Sequence, residues 1–347
     1  MSRLFKRYSN NERQALEYLA ANCADFDHPG FSDDWPLPIS LSEIGAYFAT
    51  LLGTGALENE RYALLGNVLI EIRLPRILAA VLIGAALSTS GAAFQAVFRN
   101  PLVSPGLLGV LAGASFGAAL AMLFAKHWFM VQLSAFAFGL LATAVAIGIA
   151  RIHRTQSIVM IVLAGVISGA LFTSLLSIVK YLADPFNQLP AIVYWLMGSL
   201  ANADFGTLMA LSVPMLIGIL VLTMLGKHMN VLSMGDEEAR ALGINVERVR
   251  LIIIFWATLI SALTVVIAGM IGWIGLIIPH VARLMVGPNN EHLLPASALI
   301  GAIFLLLVDD ISRSLFGVEI PIGIITELLG VAVFVIVLRN IAKGWQS

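Results

Sequence analysis

Charge is what this sequence is short of. Only 12% of its 347 residues are Asp, Glu, Lys or Arg, against roughly 25% in an ordinary soluble domain. It has one cysteine, Cys23, which excludes an internal disulfide and any cysteine-built metal cluster. The formal net charge is -1 and there is no long basic run, so nothing argues for nucleic acid. No G-x-x-x-x-G-K-[ST] phosphate loop occurs, so an ATP-driven process would need its ATPase on another subunit. The first thirty residues contain no apolar core of the kind a secretory leader requires.

Apolar residues make up 59% of the chain. The stretch Arg73-Leu-Pro-Arg76 opens a long apolar segment rich in Gly, Ala and Ser, which stops at Arg99-Asn-Pro-Leu102. A helix that is apolar all round has no aqueous face, so lipid or protein must surround it. Similar runs give nine predicted spans, near 74–98, 107–125, 128–150, 157–183, 206–226, 249–270, 273–287, 293–308 and 321–339. The fold class is therefore an all-α polytopic membrane protein. The runs at 273–287 and 293–308 are short and broken by Gly272, Gly275, Pro279 and Pro295, which a bilayer tolerates only where protein or a cavity adjoins. Gly84, Ser88 and Ala92, like Gly165 and Gly169, place small residues on one helix face, where backbones approach closely.

Arg and Lys set the orientation. With the C-terminus inside, the inside loops hold Arg99, Arg151, Arg154, Lys227, Arg240, Arg248, Arg250, Arg339 and Lys343. The outside carries mainly Arg73, Arg76, Lys126, Lys180 and Arg313. This asymmetry predicts a cytoplasmic C-terminus. Residues 1–38 are polar and of mixed charge, with Leu16, Leu19 and Ala20 able to line a short interfacial helix but nothing able to span. Nine spans put this N-terminal segment outside, against the preference of Arg3, Lys6, Arg7 and Arg13.

Several motifs have competing readings. Gly235-Asp-Glu-Glu-Ala-Arg-Ala-Leu-Gly243 reads as a short amphipathic helix ended by Gly243, either a plain connection or a docking patch. Gly113-Ala-Ser115-Phe-Gly117 fits the nucleophile-elbow spacing, but it sits in an apolar helix where small-residue packing explains it better. His280, after Pro279, reads as a hydrogen-bonded structural group, because a metal ligand needs companions. Asp309 and Arg313 are four apart and pair on one helix face. Glu327 stands alone in the last span, a functional candidate as an intramembrane carboxylate.

Taken together these stretches resemble the FecCD-type permease subunits of binding-protein-dependent ABC importers for iron–siderophores, haem and cobalamin. The matching residues are Arg73-Leu-Pro-Arg76, Gly84 to Gly91, Gln95, Arg99-Asn-Pro-Leu102, Gly113-Ala114, and Gly235, Ala239 and Leu242-Gly243. Gly272 to His280, Arg283, Asp309, Arg313 and Glu319-Ile-Pro-Ile-Gly323 complete the series, in family order across roughly residues 39–339.

The resemblance implies the type II importer permease fold, a homodimer of ten-helix subunits in a bacterial or archaeal cytoplasmic (inner) membrane. It implies two copies of an ABC ATPase, which hold ATP and Mg, and a periplasmic or lipoprotein substrate-binding protein. Arg73, Arg76 and Arg313 match the residues that dock the binding protein. The ATPase grips the region matching Met229–Arg248, with Met229, Gly235, Glu238, Ala239, Arg240, Leu242 and Gly243 as contacts. Asn100 and Leu102 match the cytoplasmic gate, and Pro190–Leu200 the short outward gating helix. The path follows helices matching 157–183 and 321–339, making Gly165, Ser168 and Glu327 pathway candidates. The chain itself would have no catalytic residue, metal or cofactor. Cargo would be a metal chelate (iron–siderophore, haem or cobalamin) or an oxyanion such as molybdate. Three features depart from the family pattern: residues 1–38 replace an apolar first helix, Ala332 stands where proline is usual, and Glu327 replaces a small residue. The alternatives are a proton-coupled carrier relaying through Glu327 and Asp309, and, more remotely, an intramembrane serine protease using Ser115.

Overall fold

The computed structural model describes residues 39–55, 57–124, 127–152, 158–314 and 318–344, with side chains excepted at 41 and 336–344. The expectations for residues 1–38 and for Lys126, Arg154, Arg339 and Lys343 lie outside what is described. Among the described residues the structure is helical throughout and has no strand. The chain divides into two compact units, 1–67 and 68–347.

In the first unit, Ser40 and Glu43 form a reciprocal capping box that starts α1 (Leu41–Leu51). Glu43 also pairs with Arg61 of α2 (Asn59–Gly66), and Tyr47 stacks on Tyr62 with ring centres 5.0 Å apart. Glu43 thus serves both the helix cap and the ion pair.

A π-helical turn, Asn67–Arg73, follows in the chain and leads to α3 (Leu74–Phe98), in which Pro75 occupies the first turn where no N–H is needed. A 3₁₀ turn (Pro105–Leu108), α4 (Val110–Phe124), α5 (Trp128–Ile152), α6 (Ile158–Leu182) and the short α7 (Gln188–Leu196) follow. Then come α8 (Phe205–Met224), α9 (Gly226–Met234), α10 (Asp236–Ala241) and α11 (Val246–Ala268). The chain closes with α12 (Ile274–Val286), α13 (Asn290–Ser314) and α14 (Ile322–Gly344). Each of the nine predicted spans coincides with one of these helices to within a few residues. One differs in extent: the run expected at 293–308 is an unbroken helix from Asn290 to Ser314 that passes through Pro295. Asp309, Asp310 and Arg313 cut the hydropathy short, but they are paired, so the helix continues.

The core forms around α3, buried along most of its length and packed against α8, α11, α12 and α13. Its glycines set those distances. A β-carbon on Gly84 would lie 2.2 Å from the Gly301 carbonyl oxygen, and one on Gly91 would lie 1.8 Å from that of Gly275. Such backbone-to-backbone approach is how helices associate where lipid removes the hydrophobic drive. Ser90 adds polar contacts, its Oγ donating to the Ala257 carbonyl at 2.9 Å and meeting Ser261 Oγ at 2.7 Å.

Candidate functional site

α3 separates two charged clusters. Arg76 stands at its start and Arg99 at its end, about 35 Å apart at 1.5 Å per residue. That matches a hydrocarbon layer of about 30 Å, so the helix is long and apolar enough to cross a bilayer between the two clusters.

At the N-terminal end, Arg73, Arg76, Ile77, Asp309, Asp310 and Arg313 line a cleft of about 320 Å³. The three arginines predicted from sequence therefore meet in one place, but they differ in state. Arg76 is 8% exposed, and its Nε donates to both oxygens of Asp309, at 2.9 and 3.0 Å. Its Nη1 donates to Glu319 at 2.6 Å. The guanidinium thus ties α3 to α13 and to the segment leading into α14, and little of it faces the cleft. Arg313 lies on the rim, its Nε 3.4 Å from Asp309 Oδ2 and its Nη2 donating to Asp310. The expected Asp309–Arg313 pair is present, with Arg76 as a further partner that local spacing could not reveal. Arg73 is half-buried and, among the described residues, makes no ion pair.

At the other end, α3 stops because Arg99 adopts the left-handed conformation (φ 49°, ψ 35°). The Arg99 N–H donates to the Ala96 carbonyl and the Asn100 N–H to that of Gln95, both at 3.2 Å, which closes the helix. A side chain in this conformation costs roughly 1–2 kcal/mol. The following turn is held from two sides. Asn100 Oδ1 accepts from the Leu102 N–H at 2.9 Å, and His280 Nε2 lies 2.9 Å from the Pro101 carbonyl oxygen. Leu102 itself is 57% exposed. His280 is the hydrogen-bonded structural group its sequence context suggested.

Beside this turn sits α10. Gly235 precedes it with φ 142°, and a β-carbon there would lie 1.9 Å from a Glu238 carboxylate oxygen. Gly243 (φ 81°) ends it, with its N–H donating to the Arg240 carbonyl and that of Ile244 to Ala239. The short helix stopped by Gly243 is thus present. Met229 and Ala239 are fully buried, so they anchor the region, while Glu238, Arg240, Leu242 and Gly243 present its exposed surface. Asp236 Oδ1 accepts from Arg250 Nη2 at 2.8 Å and lies 3.4 Å from Arg99 Nη2. Sequence reasoning missed this three-residue cluster, and no local spacing links Arg99 to Asp236.

The pathway candidates divide. Gly165 and Ser168 do not face open space. A β-carbon on Gly165 would lie 2.4 Å from the Leu107 carbonyl oxygen, and Ser168 Oγ donates to the Ala142 carbonyl at 2.7 Å. These residues join α6 to the 3₁₀ turn and to α5, where their small size permits close helix contact. Glu327 is exposed on α14 among Ile324, Leu328 and Val331, and among the described residues it makes no hydrogen bond or ion pair. Ser115 lies within α4, its Oγ donating to the Leu111 carbonyl at 2.6 Å. Gly113 and Gly117 press on the carbonyls of Phe138 and Ser134 of α5. The elbow spacing is therefore helix packing, and no strand–turn–helix surrounds Ser115.

Outside the spans, the Asn187 side chain and the Phe186 N–H hold the Asp184 carboxyl below its ordinary range. Asp184 also accepts from the Asn187 N–H at 3.1 Å, and so shapes the turn that leads into α7. That helix begins two residues before the predicted Pro190.

Comparison with known proteins adds an independent line. The family model described as the FecCD transport family matches residues 39–340. The molybdate import system permease protein MolB of Haemophilus influenzae is 40% identical over 281 residues, 81% of this chain and 83% of that protein. The vitamin B12 import system permease protein BtuC of Salmonella typhi is 39% identical over 280 residues, 79% of this chain and 84% of that one. A solved structure described as an inward-facing conformation of a metal-chelate type ABC transporter superposes with a TM-score of 0.76 at 37% identity. It covers 87% of this chain and 97% of its own.

Proposed function

The chain belongs to the FecCD transport family, and from that premise we propose that it is the transmembrane subunit of an ATP-driven importer working by alternating access. Two copies form the channel, each coupled to an ABC ATPase subunit that binds Mg–ATP. A periplasmic or lipid-anchored binding protein delivers the cargo. The chain lies in the cytoplasmic membrane with the Arg73–Arg313 cleft outward and α10 inward.

The observation that carries this reading is the placement of the two clusters at opposite ends of α3. The outward cleft offers Arg73 and Arg313 to carboxylates of the binding protein. Such contacts set orientation and association rate more than affinity. Arg76, enclosed by Asp309 and Glu319, holds the rim in shape. On the inner side, Glu238, Arg240, Leu242 and Gly243 meet the ATPase, while the buried Met229 and Ala239 transmit its movement to the core. The turn Asn100–Leu102 closes the inner end of the path. ATP binding can shift the equilibrium only through different contacts in the two states, and α10 supplies such contacts.

Cargo is a metal chelate of the siderophore, haem or cobalamin type, or a molybdate-like oxyanion. The proton-relay reading loses support at Asp309, which is engaged by Arg76 and Arg313. Uptake of labelled molybdate, cobalamin, haemin and a ferric siderophore by cells expressing the complete transporter tests the reading. One of these is expected to accumulate, and accumulation should stop when ATP is depleted with the proton gradient maintained. Uptake that follows the proton gradient alone would overturn it.

A further inference from the structure

The cluster of Arg99, Asp236 and Arg250 has a geometry that general coupling does not require. Asp236 is the first residue of α10, and its Oδ1 faces two guanidinium groups that are held unequally. The Arg250 arm is a 2.8 Å hydrogen bond from a side chain only 5% exposed, and it binds α10 to the start of α11. The Arg99 arm is a 3.4 Å ion pair from a side chain 38% exposed. Exposed pairs of this length are weakly held and screened by salt. The weaker arm ends on the residue whose left-handed backbone terminates α3, immediately before Asn100, Pro101 and Leu102.

We propose that Asp236 is a positioning residue that links α10 to the inner turn through Arg99, with the Arg250 arm as the fixed pivot and the Arg99 arm as the contact that changes between states. The proposal rests on the importer reading above and names the residue pair through which that site acts. α10 is suited to the part. Gly235 at φ 142° lets the chain bend before it, Gly243 ends it, and Ala239 seats it in the core. The turn is otherwise held by His280 on the Pro101 carbonyl and by the buried Val103. Loss of the Arg99 arm therefore frees one side of the turn and leaves the other in place.

Asp236→Asn discriminates, because an asparagine oxygen still accepts from Arg250 but offers no charge to Arg99. The complete transporter, with its ATPase and in nanodiscs, would be followed by hydrogen–deuterium exchange over residues 99–104, with and without Mg–ATP and vanadate. The unaltered protein is expected to change exchange in this segment on nucleotide binding. Asp236→Asn should lose that difference while keeping its bound ATPase, and Asp236→Glu should restore it. Should Asp236→Asn fail to assemble, Arg99→Gln must give the same loss. A nucleotide-dependent difference retained in either assembled variant overturns the proposal. Absence of any ATPase from the unaltered preparation instead removes the importer reading, and the link falls with it.

Discussion

Arg76 and Asp309, 233 residues apart in sequence, form a two-pronged contact at 2.9 and 3.0 Å that fastens the start of α3 to the end of α13. Both side chains are buried, and Glu319 and Arg313 complete their surroundings. Removing one partner of a buried pair costs about 3–5 kcal/mol where the other is left uncompensated, but here Arg76 keeps Glu319. Asp309→Asn is therefore expected to lower stability by less than that amount, read as a lower thermal midpoint in detergent. A midpoint within a degree or so of the unaltered protein would show that the pair contributes little.

Arg73 and Arg313 face the cleft, and their reversal should act differently. Arg73→Glu with Arg313→Glu is expected to weaken association with the binding protein by about tenfold or more, mostly through a slower on-rate. Surface plasmon resonance against the binding protein at several salt concentrations would check this. An unchanged on-rate with unchanged salt dependence would remove docking from this cleft.

Gly91 faces the Gly275 carbonyl so closely that a single methyl group would collide with backbone. Gly91→Ala is expected to cost about 3 kcal/mol or more, seen as aggregation or a broadened profile on size-exclusion chromatography. Gly148, with open space around it, serves as the control: Gly148→Ala should leave the profile unchanged.

Asp204 caps α8, its Oδ1 accepting from the Thr207 N–H at 2.8 Å. Burial raises its carboxyl pKa, but bonds from Thr207 and the Gly206 N–H outweigh this and hold it below the ordinary value. A lowered folded-state value means the contribution is complete above the ordinary carboxylate pKa of about 3.9. It is lost as pH falls through the lower, folded value. Asp204→Ala should cost about 1 kcal/mol at neutral pH, and the difference between variant and parent melting curves should shrink in strong acid. A constant difference at every pH would contradict the cap.

Glu327 is an exposed carboxylate on an otherwise apolar helix face. Such a group requires water or protein beside it, so α14 is expected to border the path or the second copy of the chain. Glu327→Ala should change the cargo uptake rate or the stability of the dimer. Unchanged values of both would remove the assignment.

The spans were legible because apolar runs of twenty residues leave few alternatives, and Gly235 and Gly243 marked a short helix between them. The site was legible only in part. Arg73, Arg76 and Arg313 could be singled out, but not the division between a buried clasp and an open rim, since Asp309 and Glu319 reach Arg76 through tertiary packing. The Asp236–Arg99 contact was hidden for the same reason. Gly165 and Ser168 could be picked out as small residues, but their close contacts with Leu107 and Ala142 arise from tertiary packing that local spacing does not reveal.

The central claim is tested most directly by affinity purification of the tagged chain from its native membrane in mild detergent, with mass spectrometry of what accompanies it. The account predicts a Walker-motif ATPase and a substrate-binding protein in the eluate, with ATP hydrolysis by the complex. Recovery of the chain alone under conditions that preserve other membrane complexes would contradict it.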